Sequence, residues 1–211
     1  MGHAPLVAPV LEVQRLQGPP PDLEGVGALA FTSANGVIAF AEVSAARGLP
    51  VFTVGDATAR AAERAGFIDI RSAGGDVEAL AAFVRAYAGD LTGTLLHPGA
   101  SEPAGDLAGA LRAAGVATRL HPLYTTVTAP LNLAATAALR ARPVELDGVL
   151  VHSPRAAQRL AEIDAVLAAA SELSAYCISP AAAAPLERLK FARVTVAPLP
   201  NEAALLNLIA S

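Results

Sequence analysis

The sequence predicts an α/β chain built as two similar lobes, and three observations predict it. The first is an internal duplication. Gly27–Ala41, GALAFTSANGVIAFA, has a counterpart in Leu146–Ala169, LDGVLVHSPRAAQRLAEIDAVLAA, with Ser33 matching Ser153 and Phe31 matching Val151. The segments after each copy also match: Leu49–Phe67 (LPVFTVGDATARAAERAGF) with Leu173–Phe191 (LSAYCISPAAAAPLERLKF), and Asp76–Val84 (DVEALAAFV) with Asn201–Ile209 (NEAALLNLI). The offset of 120 positions between Ser33 and Ser153 is far longer than a solenoid period, so each copy is a lobe and not one turn of an array. The second observation is the regular alternation of short apolar segments with helical stretches, the pattern of a parallel sheet covered by helices on both faces. The third is that several apolar segments end in Ser or Gly where a helix begins. At Ser153-Pro154 an N-cap serine precedes a proline at the first helical position, a strong start signal.

The elements come in this order. Leu6–Leu16 reads as a strand, and Gln17–Gly27 as a loop, because its three successive prolines fit neither a sheet nor a helix interior. Strands are then expected at Leu29–Thr32, Val51–Val54, Phe67–Ile70, Thr94–His97 and Arg119–Val127. Helices are expected at Gly36–Ala46, Ala57–Ala65, Val77–Tyr87 (capped by Asp76) and Gly105–Ala114, with Gly66 and Gly115 as stops. Thr128–Pro143 crosses back with one helix. The second lobe has strands at Val149–His152, Tyr176–Ile178 and Val194–Ala197, with helices at Arg155–Ala169, Ala181–Leu189 and Glu202–Ile209.

The duplication also leaves one lobe short. Ala114–Tyr124 aligns with Met1–Leu11, Gly115 meeting Gly2 and Pro122 meeting Pro9. A strand and helix, Leu91–Ala113, precede the first of these segments and nothing precedes the second. The discontinuous lobe is therefore expected to lack its first strand and helix, through a downstream start site or a truncation. In a 2-1-3-4-5 strand order that strand is central, and its loss would leave a slot of roughly 10 Å, two strand spacings.

Composition narrows the function. Alanine supplies much of the 54% hydrophobic content of the 211 residues, which raises helix propensity. No apolar run reaches the ~18 residues of a membrane span, and MGHAPLVAPV lacks the charged start and apolar core of a signal peptide. No membrane is expected as a partner. The net charge is −4 and no Lys/Arg run occurs, which argues against nucleic acid. The single cysteine, Cys177, excludes a disulfide framework and suits a reducing cytoplasm. Lys190 is the sole lysine. The arginine excess is explained by genome composition or by a need for planar forks that grip carboxylates and phosphates.

Four strand ends run straight into helix starts: Thr32-Ser33, Gly55-Asp56, Ser153-Pro154 and Ser179-Pro180. In open parallel sheets the crevice lies beyond the carboxyl ends of the strands. Helix starts there offer free N–H groups and a positive dipole end to an anion. A role as caps alone is enough to account for any one of Ser33, Ser153 and Ser179. Thr58 lies in the first turn of its helix. Arg60 and Arg155 also lie near helix starts, where a cation opposes the dipole unless an anion is close; surface exposure is the alternative account. Tyr124, a neutral phenol in a strand, can donate a proton to a leaving oxygen or simply pack. His97 and His152 end strands without a nearby paired acid and read as structural. The sequence has no nucleophile elbow, phosphate-binding loop, dinucleotide fingerprint or metal-ligand spacing.

FTSANGVIAFAE, VFTVGDATARAAERAGF, the LYTT segment at Leu123–Thr126 and DGVLVHSPRAAQRLAE, in that spaced order, resemble the uroporphyrinogen-III synthase family over most of the chain. The resemblance implies two flavodoxin-like parallel-sheet lobes joined by a two-stranded antiparallel ladder, residues 6–16 with 119–128. One lobe would be the continuous segment 17–118 and the other 1–16 plus 119–211. It also implies a cofactor-free reaction, the dehydration and closure of hydroxymethylbilane to uroporphyrinogen III with inversion of the last ring, in the tetrapyrrole pathway to haem, sirohaem and cobalamin. Tyr124 would assist loss of the hydroxyl. Thr32, Ser33, Gly55, Thr58 and Ser153, with Arg60 and Arg155, would hold the substrate's carboxylates. The expected setting is a bacterial, cytoplasmic monomer in transient contact with hydroxymethylbilane synthase. Two stretches depart from the family pattern: ISPAAAA replaces a glycine-threonine turn, and the opening strand has no counterpart. Two other readings stay open on the sequence, a two-lobed module that binds a small anion and an inactive truncated paralogue of the synthase.

Overall fold

The computed structural model describes residues 2–209. The chain divides into two compact units, residues 13–126 and the described residues of 1–12 with 127–211. The divisions fall inside two strands, β1 (Leu11–Arg15) and β6 (Thr118–Thr128).

The continuous unit is built on β2 (Val26–Phe31), β3 (Val51–Thr53), β4 (Ile70–Ser72) and β5 (Thr94–Ala100), which join β6 and β1 in the order β1-β6-β5-β2-β3-β4. The strands from β6 to β4 are parallel, with Leu29 opposite Val51 and Leu96. β1 and β6 run antiparallel. The Leu16 N–H donates to the Leu123 carbonyl and the Ala129 N–H to the Val10 carbonyl, so numbers rise on one strand as they fall on the other. Pleat alternation splits β2 between two faces. Leu29 and Phe31 pack toward α1 (Ala34–Val43) and α2 (Asp56–Arg64), while Ala28 and Ala30 pack toward α3 (Val77–Ala86) and α4 (Leu107–Ala113). Gly27 and Gly93 are forced: a Cβ on either would strike the carbonyl of Thr92 or Gly25, and Gly93 sits at φ +109°.

The discontinuous unit has a smaller parallel sheet, β7 (Gly148–Val151), β8 (Ser174–Cys177) and β9 (Arg193–Val196), in that order. Its helices are α5 (Leu133–Arg140), α6 (Pro154–Leu160), α7 (Asp164–Ala169), α8 (Pro180–Ala183) and α9 (Glu202–Asn207). Leu173, Ala175, Cys177 and Leu186 are at the centre of its core, each fully buried. Burial also raises the pKa of the Cys177 thiol.

Several expectations are corrected. Counted within the continuous unit, the strand order is 3-2-1-4-5 and not 2-1-3-4-5. The counterpart of β5 would therefore lie outside β7, so no slot interrupts the smaller sheet; β7 is an edge strand among the described residues. β1 starts only at Leu11, after Pro9, which has no N–H to give a ladder. β4 starts at Ile70 because Phe67 completes the helix stop: its N–H donates to the Ala62 carbonyl, Gly66 turns at φ +91°, and the ring is buried. The helix expected over Arg155–Ala169 breaks into α6 and α7 at Ile163. The one expected over Ala181–Leu189 ends at Ala183 and tightens into a 3-10 turn at residues 184–186, because Pro185 cannot continue the ladder.

Phe40 is fully buried, with its ring edge-on to Phe31 at 5.9 Å and tilted against Phe67 at 6.1 Å. A Phe40→Ala substitution empties this site and is expected to cost about 3–5 kcal/mol of stability in urea unfolding, with no matching loss for an exposed control such as Ile68→Ala.

Candidate active site

The continuous unit reverses its strand order between β2 and β5. The crevice of such a sheet opens at that point, beyond the carboxyl ends of the strands. Thr32 and Ser33 follow β2 there. Ser33 is the N-cap of α1: its backbone is extended and its Oγ accepts from the Asn35 N–H at 3.1 Å. Gly36, in the first turn of α1, is required by close approach, since a Cβ would lie 2.8 Å from the Pro98 carbonyl oxygen of β5.

The neighbouring turn after β3 is built differently. Asp76 caps α3 and Asp106 caps α4 with side-chain oxygens, but α2 begins at Gly55, which has none. The Gly55 carbonyl serves the Thr58 and Ala59 N–H groups at 3.0 Å each. The Asp56 and Ala57 N–H groups have no acceptor among the described residues, which leaves donors and the positive dipole end available to an anion. The Asp56 carboxylate, which would compete, accepts from the Ser72 hydroxyl at 2.8 Å. Thr58 is buried (5% exposed) in the first turn, and Arg60 is exposed one residue beyond Ala59. At the end of β3 the buried Thr53 hydroxyl meets no partner among the described residues.

Tyr124 lies on β6 opposite Ala100, and its carbonyl accepts from the Ser101 N–H at 2.8 Å. Its side chain is 5% exposed and packs in the cluster that contains Phe31. β1 brings Arg15 to this strand. Arg15 holds Glu42 of α1 by two bonds, 2.6 and 3.0 Å. That hydrogen bond is the main reason the Arg15 pKa is raised, with smaller attractions from Glu42 and Tyr124, and it likewise holds the Glu42 carboxyl below its usual range.

Thr32, Ser33, Gly55, Thr58, Arg60 and Tyr124 thus belong to one unit, along β6, β2 and β3 and the turns after them. Ser153 and Arg155 belong to the other. Ser153 caps α6, its Oγ accepting from the Ala156 N–H at 3.1 Å, and Arg155 is exposed in the first turn. Two histidines read as structural have partners that sequence distance conceals. His152 Nε2 lies 2.8 Å from Glu202 Oε2, so an acid is beside it after all. His97, 1% exposed on β5, reaches across to β2, with Nε2 3.1 Å from the Thr32 hydroxyl. His97 also borders a cavity of about 580 Å³ over β6, walled by Arg112, Thr118 and Arg119. None of the site residues expected from the sequence lines that cavity. Among the described residues no group of three His, Cys, Asp or Glu side chains is placed to hold a metal, and no helix is long and apolar enough to cross a membrane.

Burial pushes the His97 pKa down from 6.5 to about 4. The unfolded chain therefore takes up this proton before the folded one does. The stabilising contribution is whole above about pH 6.5 and is lost as pH falls to about 4, on the order of 3 kcal/mol across the window. His121 shifts the same way, through burial first and Arg119 second. Urea unfolding at neutral pH and at about pH 5 is expected to show a smaller acid loss for His97→Gln than for the wild type.

A family model described as HEM4, uroporphyrinogen-III synthase HemD, matches residues 1–207. No curated protein matches the chain. Among solved structures it is similar to the uroporphyrinogen-III synthetase of Helicobacter pylori 26695, with 18% identity, a TM-score of 0.72, and coverage of 99% of this chain and 95% of that one. It is also similar to a mutant uroporphyrinogen III synthase of the extremely thermophilic bacterium Thermus thermophilus, with 18% identity, a TM-score of 0.59, and coverage of 99% and 89%. At that identity the structures speak for the fold, and the match of the family model over nearly the whole length speaks for the family. The chain belongs to the uroporphyrinogen-III synthase family.

Proposed function

We propose that this chain carries out the cyclising dehydration of hydroxymethylbilane to uroporphyrinogen III, with Tyr124 as the proton donor. The family match over residues 1–207 carries the reading. The reaction loses one water. The C–O bond of the hydroxymethyl group breaks, the oxygen leaves with a proton, and the electron-rich pyrrole left behind becomes an azafulvene. The terminal pyrrole attacks the azafulvene methylene through its substituted α-carbon; the older bond from that spiro carbon to its bridging methylene breaks and re-forms at the ring's free α-carbon, which loses its proton, so that the last ring joins inverted. The protein's work is orientation: folding a flexible chain into one reactive geometry supplies a large part of such a barrier.

Physical features of the continuous unit support this reading. The open donors at Asp56 and Ala57 and the Thr32 hydroxyl suit a ligand rich in carboxylates. Ser33 and Thr58 belong to the same two turns, and Arg60, two residues after Thr58, adds an exposed cation near the start of α2. In the discontinuous unit Ser153 carries a cap hydroxyl and Arg155 an exposed cation at the start of α6. The Tyr124 phenol is buried and packed among the residues around Phe31, which suits a positioned acid. The protein acts as a bacterial, cytoplasmic monomer, receiving a short-lived substrate in transient contact with hydroxymethylbilane synthase.

The test is a coupled assay. Hydroxymethylbilane is made in place by its synthase, the products are oxidised, and type I and type III porphyrins are separated. Excess type III is expected with the wild type; type I alone refutes the proposal. Tyr124→Phe keeps the buried ring and removes the proton, so turnover is expected to fall by about 100-fold while the melting temperature holds. Unchanged turnover removes Tyr124 from the mechanism.

A further inference from the structure

His97 is a buried titratable side chain of the continuous unit that the reaction above leaves without a task. Its neighbours on β5, Leu95 and Leu96, are apolar and fully buried. A leucine at 97 would meet the demands of packing, and an imidazole there needs its polar atoms matched. It lies on β5 and its partner follows β2, the two strands between which the order reverses. The chain closes over the ring: a Cβ on Gly99 would lie 3.0 Å from His97 Nε2 and 3.4 Å from Cδ2, a contact tight enough to press on the imidazole.

We infer that His97 is a positioning residue for the ligand site, donating from Nε2 to the Thr32 hydroxyl oxygen so that the hydroxyl proton is free to point at a carboxylate of the ligand. The identity of that ligand rests on the synthase reading; the geometry of the pair does not. A neutral imidazole has one N–H and one lone pair, and a hydroxyl has one proton and two lone pairs. If the hydroxyl gave its proton to the ring, only lone pairs would face the crevice, and these repel an anion. If the ring donates, the hydroxyl becomes a donor toward the crevice and its bond is strengthened by the one behind it. Burial keeps the ring neutral at working pH, so it has one lone pair and one proton to assign. Ser33 is in the same state by another route: its Oγ accepts from the Asn35 N–H of its own helix, which leaves its proton free as well.

Three measurements decide the matter. Long-range nitrogen–proton NMR correlation on the wild type is expected to show the Nε2–H tautomer of His97; the Nδ1–H tautomer overturns the inference whether or not the chain is a synthase. Binding of uroporphyrin III, a stable octacarboxylate, is followed by fluorescence, with KM and kcat from the coupled assay. His97→Leu is expected to weaken uroporphyrin binding and raise KM about tenfold with kcat within about twofold of wild type. His97→Gln, whose amide also donates, is expected to recover most of the loss, and His97→Leu is expected to add nothing to Thr32→Val. A His97→Leu variant that lowers only the melting temperature assigns the residue to packing and overturns the inference. A wild type that makes no type III porphyrin refutes the synthase reading alone, and the tautomer and uroporphyrin binding still decide the role of His97.

Discussion

β2 is buried on both faces, and the continuous unit follows from how it satisfies them. Phe31 and Leu29 need the depth that α1 and α2 provide, and the rings of Phe31, Phe40 and Phe67 meet there at about 6 Å. Ala28 and Ala30 allow the other layer to come close, where Leu80, Val84, Leu107 and Leu111 fill the space. A strand of large residues on one side and small ones on the other cannot slip register by a single position, because every side chain would change faces. Its last residue therefore fixes where Thr32 and Ser33 emerge, and through the His97 contact it fixes the neighbouring end of β5 as well.

Helix starts in this unit divide into those that satisfy themselves and one that does not. Ser33, Asp76 and Asp106 each close their own first turn, a stabilisation of about 1 kcal/mol apiece. Gly55 forgoes it. The flat backbone at Gly55, φ −165° and ψ 179°, is open to any residue, so conformation does not demand glycine. What glycine does leave is bare backbone beside the Thr32 turn, with two donors facing outward. A carboxylate-rich substrate would complete the helix that the chain leaves incomplete.

Much of this architecture is legible in the sequence because it rests on local chemistry. The cap residues Ser33, Asp76, Ser153 and Asn201 stand where serine, aspartate and asparagine stand for a mechanical reason, and each closes its helix. Pro185 carries a signal that the apolar pattern around it masks: a proline inside a helical run ends it. Pro9 carries the same message for the first strand. Strand order is not legible, since it depends on which apolar segments pair and not on any one of them. Nor are the pairs Thr32–His97, Arg15–Glu42 and His152–Glu202, which lie 65, 27 and 50 positions apart and share no local pattern. The family resemblance marks the turns, because its motifs lie on them, but it does not mark the ring behind Thr32.

Cys177 sits at the centre of the smaller sheet, fully buried, its thiol made less acidic by its surroundings. With no second cysteine in the sequence, the chain cannot scramble disulfides within itself. A thiol reagent can reach the sulfur only when β8 parts from its neighbours, and only the thiolate formed at that moment reacts. The discontinuous unit thus carries its own clock: the rate of labelling counts openings of one sheet while the other goes unreported, without any added dye or engineered site.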